Sequence, residues 1–281
     1  MKFVRVGTAG TVTPYAIVDE RAYALDSLTP DIDGAFLASG AEARVREAIA
    51  SGALQPTGIP TPESLLAPIT RPGSVVCVGM NYAAHAAESN ALPPEIPVIF
   101  LKPTNTVVGP NDAIEIPRGS DKTDWEVELG IVVGQTASYL SSPEDAAACI
   151  AGYVTVNDVS ERRFQLEESG GQWSKGKASP TFTPTGPWLV TGSEVDAKPL
   201  ALRSWVNGEV RQDSSTADMI FDPHFIVFHL SQYMRLDPGD LILTGTPEGV
   251  ALSGRFPYLV AGDVVEIEIE GLGRQRSEVA A

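Results

Sequence analysis

Glu126 and Glu128 stand one residue apart in a run that ends in the uninterrupted apolar triplet Ile131-Val132-Val133. Residues 125–133 therefore read as a strand heading into a core, with both carboxylates on one face and Val127 and Leu129 on the other. Same-face carboxylates in a strand lie roughly 7 Å apart, close enough to share one cation if a third oxygen ligand folds in. Unpaired, they repel and carry a desolvation penalty. The chain contains its own contrast: Glu266, Glu268 and Glu270 alternate in the same way near the C-terminal end and read as the solvated face of an amphipathic strand.

Asp158 ends a later apolar stretch and is the candidate third oxygen; an Asp there serves equally as a turn or cap before Val159-Ser160. Three acidic oxygens without matching thiols or imidazoles describe a site for a hard divalent ion such as Mg²⁺. His85 and Glu88 are three residues apart, and on a helix they face the same way. A carboxylate beside an imidazole fixes its tautomer and raises its basicity, as a general base requires; a surface pair on a short helix has the same spacing. Lys177 follows in a glycine-flanked loop. The stretch from Gly171 to Ala178 nearly spells a phosphate-binding loop, but Ala178 stands where Ser or Thr is needed and no strand precedes it. No G-x-S-x-G elbow or H-E-x-x-H pair occurs, and His224 and His229 read as structural.

Residues 1–70 read as a small unit with strands near 1–6 and 15–18 and a helix over Ala41–Ala50, closed by a proline-rich connector over 56–72 that marks a domain boundary; residues 71–281 form the second unit. There the expected strands are 75–78, 97–101, 125–133, 153–156, Leu241–Leu243 and Val264–Ile269. Helices begin at Ser142-Pro143 and Asp222-Pro223. Short strands with few helices predict a mixed, mainly β domain rather than alternating βαβ units. The net charge of −16 excludes a basic stripe for nucleic acid. Two cysteines, Cys77 and Cys149, sit among apolar residues and read as buried thiols. No apolar run has signal-peptide or membrane-span length, so a cytoplasmic location with no membrane partner is expected.

Taken together, the segments resemble the fumarylacetoacetate hydrolase family over roughly residues 74–280. The matching pieces are Val78-Gly79-Met80-Asn81-Tyr82 with His85 and Glu88, then Phe100-Leu101-Lys102-Pro103, then Glu126-x-Glu128. Asn157-Asp158-Val159-Ser160 follows with Arg162 and Gln165, then Gly176-Lys177 and Gly186-Pro187-Trp188. Val206-Asn207-Gly208 with Gln212 and Gly245-Thr246-Pro247-x-Gly249 complete the set. Pro180 is a departure, since many relatives carry Asp three residues after the lysine.

The resemblance implies an α+β fold: a mixed β-roll catalytic domain with a small N-terminal α/β domain, in a homodimer. It implies Mg²⁺ or Mn²⁺ on Glu126, Glu128 and Asp158, a water-activating dyad of His85 and Glu88, and Lys177 as catalytic lysine. Tyr82, Lys102, Arg162, Gln165, Gln212 and Thr246 become candidates for contact with a small keto acid. Within the family, the 170–177 and 270–276 stretches look like the branch acting on acylpyruvates or 2,4-diketo-3-deoxy sugar acids. The expected reaction is hydrolysis of a carbon–carbon bond to give pyruvate and a carboxylic acid. Alternatives are an oxaloacetate-type decarboxylase, a ureidoglycolate lyase-like lyase, or an inactive ligand-binding scaffold.

Overall fold

The computed structural model describes residues 1–8, 11–58, 65–89, 91–195 and 199–281. The central strand is Val127–Val133, every residue of which is buried. Strand alternation sends Val127, Leu129, Ile131 and Val133 into one apolar cluster, while Val132 enters a second on the opposite face. Glu128 and Gly130 share the Val132 face, so the acidic residues open on the side away from the main core.

Around this strand runs a ten-stranded sheet. From one edge its order is Pro56–Thr57, Arg21–Ala24, Thr11–Val18, Lys2–Thr8, Leu189–Thr191, Ile150–Asn157, Val127–Val133, Leu241–Leu243, Val75–Gly79 and Val98–Lys102. Val127–Val133 pairs antiparallel with Ile150–Asn157, with Glu128 opposite Val156, and on its other side with Leu241–Leu243. Leu241–Leu243 runs parallel to Val75–Gly79. The N-terminal strands join the same sheet through Lys2 opposite Val190 and Phe3 opposite Leu189.

A second sheet of five strands has the order Glu209–Ser215, Ala201–Val206, Val264–Ile269, Gly273–Ala280 and Ile114–Glu115. Its Leu202, Ile267 and Ile269 pack with Trp125, Val127 and Leu129 to form the main core between the sheets. The second core sits beneath the helices Gly34–Ala38 and Ala41–Ala50, where Phe36 and Val45 meet Phe3, Cys77 and Val154. Both cysteines are free and buried. Glu266 and Glu268 lie on the outward face of their strand, beside Arg274.

Two details depart from the sequence reading, and a third agrees with it. The central strand begins at Val127 rather than 125, because Glu126 N donates to Asn157 Oδ1 (3.0 Å) and Trp125 N to Asp124 Oδ1 (2.8 Å), which removes both from the ladder. The segment after Ser142 forms the 3₁₀ helix Pro143–Cys149, since the next strand starts at Ile150 and leaves no room for a longer α-helix. The helix opened by Asp222, whose carboxylate accepts from Phe225 N at 2.9 Å, is Pro223–Ser231.

The helix that carries the histidine, Ala83–Glu88, is tied to the sheet by Asn81. The Asn81 amide, itself fully buried, donates to Thr244 O (2.7 Å) and Phe221 O (3.0 Å) and accepts from Phe221 N (2.8 Å). Asn81→Ala would strand these backbone groups and is expected to cost about 2 kcal/mol, read as a fall in the urea midpoint at unchanged m-value.

Candidate active site

The hairpin from Val127–Val133 to Ile150–Asn157 places the acidic residues together because Asp158 follows the partner strand directly and donates its own N–H to Glu126 O at 3.0 Å. Glu126, Glu128 and Asp158 each offer an oxygen within 4.8 Å of the others, and all three are buried. They line or back a cavity of about 450 Å³.

Three cations are folded around them. Lys177 follows the 3₁₀ turn Trp173–Gly176 and donates to Glu126 Oε2 (2.7 Å) and Asp158 Oδ2 (2.6 Å). Lys102, at the end of its strand, donates to Asp158 Oδ1 and to Phe182 O from a buried position behind the cluster. Arg162 reaches Glu126 Oε1 (2.7 Å) and Asp124 Oδ2 (2.8 Å) through Nη2, and hands Nη1 to Gln165 Oε1 at 2.9 Å. Asp124 is in turn held by the backbone N–H groups of Ala251 and Leu252 at 2.9 and 3.0 Å.

The electrostatics of Glu126 and Glu128 differ sharply. Burial alone would push Glu126 up, but Lys177 and Arg162 outweigh it and hold its carboxyl well below the usual range. Burial likewise opposes the charge on Lys177, yet Asp158 and Glu126 keep its ammonium well above the ordinary lysine value. Glu128 is the less compensated of the two: burial first, then Asp158 and Glu126, drive it well above the carboxylate range, against Lys177 and one N–H from Gly245 at 2.8 Å. An oxygen-only, buried set with an unmet negative charge suits a hard divalent cation. The residues present fit such an ion.

His85 is buried, and its Nδ1 lies 3.8 Å from Glu88 Oε2, too far for a hydrogen bond, with no partner among the described residues. Burial lowers its pKa below the ordinary histidine value, opposed in part by Glu126. Glu88 is itself anchored by Gly249 N (3.0 Å) and Arg255 Nη1 (3.1 Å). The cavity wall thus brings together His85, Glu88, Glu126, Glu128, Arg162, Gln165, Lys177 and Thr246 from the sequence-selected set.

Tyr82, Lys102 and Gln212 lie behind the wall instead. Tyr82 is fully buried in the main core. Gln212 Oε1 accepts from Val127 N (3.1 Å) and Ser204 Oγ (2.9 Å), while its Nε2 donates to Thr246 Oγ1 (2.8 Å) and Pro247 O (2.9 Å). It positions Thr246 rather than reaching the cavity.

Sequence reasoning missed Asp124 and the aromatic wall. Phe100 and Trp173 pack edge to face with centroids 5.8 Å apart, and Phe100 lies 5.1 Å beneath the Lys177 ammonium. Gly79 makes room for the indole, since a Cβ there would stand 2.4 Å from Trp173 Cζ3. The Gly-x-x-x-x-Gly-Lys spacing around Trp173 reads as a near phosphate-binding loop and masks the indole itself.

Residues 74–280 match the family described as fumarylacetoacetate (FAA) hydrolase C-terminal. The chain is 42% identical over 285 residues to a 2,4-didehydro-3-deoxy-L-rhamnonate hydrolase of Sphingomonas sp. (strain SKA58), covering 100% of this chain and 96% of that protein. Its fold is similar to a fumarylacetoacetate hydrolase from Exiguobacterium antarcticum, with TM-score 0.85 and 32% identity over 100% of this chain and 99% of that one. A 2-hydroxyhepta-2,4-diene-1,7-dioate isomerase from Mycobacterium marinum is also similar, with TM-score 0.76 and 37% identity over 100% and 98%.

Glu128→Gln should relieve the repulsion and raise stability without added metal by about 1 kcal/mol. The same variant should lose the Mg²⁺-dependent rise in melting temperature expected of the unaltered protein; differential scanning with and without the ion checks both.

Proposed function

This chain belongs to the fumarylacetoacetate hydrolase family, and we propose that it hydrolyses the C3–C4 bond of a 2,4-diketo acid, an acylpyruvate or 2,4-diketo-3-deoxy sugar acid, to pyruvate and a carboxylic acid. The observation that carries this reading is one cavity holding a buried three-carboxylate cluster, a buried imidazole with an unpartnered nitrogen, and a buried ammonium. Similarity to a hydrolase of a diketo deoxy acid supports it.

Glu126, Glu128 and Asp158 would hold Mg²⁺ or Mn²⁺, which when bound supplies positive charge to orient and polarise the carboxylate end of the substrate. His85, kept neutral by burial, takes a proton from water, and the oxygen adds to C4. Glu88, 3.8 Å away and fixed by Gly249 and Arg255, stabilises the imidazolium that results. Lys177 spends two of its three N–H donors on Glu126 and Asp158, and the third is left for the oxyanion at C4. When C3–C4 breaks, its electron pair moves into the C2–C3 enolate. The imidazolium returns its proton to C3, giving pyruvate and the acid. Gln165, held by Arg162, and Thr246, held by Gln212, offer neutral polar contacts along the wall.

Isomerisation of an unsaturated keto acid is the second reading, favoured by the likeness to the M. marinum isomerase; it uses the same carboxylate-end recognition without water addition. The reading extends to a cytoplasmic homodimer built of a 1–70 unit and a 71–281 catalytic unit. Among the described residues no helix is long and apolar enough to cross a membrane.

Proton and carbon NMR of an acylpyruvate incubated with protein and Mg²⁺ is expected to show pyruvate and the matching acid, both abolished by a chelator. An isomer in place of two products would replace hydrolysis by the second reading. His85→Ala should lower kcat at least about 100-fold while retaining the Mg²⁺-dependent thermal shift. Because the base works unprotonated and its pKa lies below the ordinary 6.5, kcat/KM should rise with pH along an acid limb below that value and level off before neutrality.

A further inference from the structure

The cations at this cavity are all matched by carboxylates, which bears on the far end of the substrate. Among the described lining residues only Arg162 and Lys177 carry fixed positive charge. Arg162 is bound by Asp124 and Glu126, and Lys177 by Glu126 and Asp158. Arg255, at the exposed rim, is 3.1 Å from Glu88, and Lys102 lies behind Asp158. With all groups ionised, Glu88, Asp124, Glu126, Glu128 and Asp158 face Lys102, Arg162, Lys177 and Arg255, one negative charge in excess. A divalent ion turns this into one positive charge, and the C1 carboxylate of a keto acid cancels it. Glu248, whose pKa is raised first by burial and then by Asp218 and Glu88, adds only to the negative side.

The remaining wall is uncharged: Phe100, Leu166, Trp173 and Leu252 with Gln165 and Ser253. We propose that the group beyond C4 is neutral, an alkyl or hydroxylated chain seated on the Phe100–Trp173 wall, and that diacids are excluded because a second carboxylate meets no free counter-charge among the described lining residues. The proposal rests on the diketo-acid reading for which end faces the acidic cluster. An unpaired charge in a partly dehydrated cavity is a strong rejecting element, whereas aromatic faces accept both methylene and hydroxylated carbon.

The test uses 2,4-dioxoheptanoate and 2,4-dioxoheptanedioate, which differ only in a terminal methyl against a carboxylate. Turnover with Mg²⁺ is expected to favour the monoacid by about 30-fold or more in kcat/KM. Calorimetric titration with 2-oxoheptanoate and 2-oxoheptanedioate, which lack the C4 carbonyl and cannot be hydrolysed, is expected to favour the monoacid about tenfold. Leu166→Arg places a cation at a half-exposed wall position and should shift both ratios toward the diacid by about tenfold. Equal or better binding or turnover of the diacid overturns the proposal, as does a ratio unmoved by Leu166→Arg. Monoacid preference in binding with neither dioxo acid cleaved leaves the proposal standing and removes the hydrolase reading instead.

Discussion

Three carboxylates buried within reach of one another form the constraint around which this chain is organised. Each buried charge costs several kcal/mol unless it is paired and hydrogen-bonded. The pairing groups come from far apart: Lys102 from a sheet edge, Arg162 from a turn after Asp158, Lys177 from a 3₁₀ loop, and a backbone N–H from Gly245. The acidic hairpin therefore settles only when these elements have docked. The stability of the large sheet and the integrity of the cavity are coupled through these contacts.

That coupling explains which parts were legible in the sequence. Apolar runs bounded by turn residues located Leu241–Leu243 and Val264–Ile269 to the residue, and the Ala41–Ala50 helix likewise. The acidic pair could be told from Glu266 and Glu268 because an apolar run continues beyond it, and burial separates the two sets as that argument requires. Their convergence with Asp158, Lys177 and His85 came from matching segments to a family, since nothing in local spacing brings residues 85 and 177 into one cavity.

The omissions have physical causes as well. The hairpin of Ala201–Val206 and Glu209–Ser215 turns at Asn207-Gly208, both with positive φ of 53° and 79°. This is the strongest short hairpin signal a sequence offers, read here only as a family motif. Asp124 escaped notice because a carboxylate beside a tryptophan has no pattern of its own; its role follows from Arg162 and from two N–H groups more than 120 residues away. Lys102 and Gln212 share motifs with cavity residues but are spent on internal bonds, and residue type alone does not reveal which way a buried polar chain is satisfied.

Gly79 gives way to the Trp173 indole, and the wall so formed stands on pieces of chain separate from the hairpin that bears the acids. The acidic hairpin is locked from several sides by buried bonds and has little freedom to vary. The wall belongs to a strand edge and two surface turns whose side chains carry no comparable network. Substitution of Trp173, Leu166 or Leu252 would therefore reshape the wall while leaving the bonds of the acidic hairpin in place. In this architecture the wall can change its shape while the acidic cluster keeps its own.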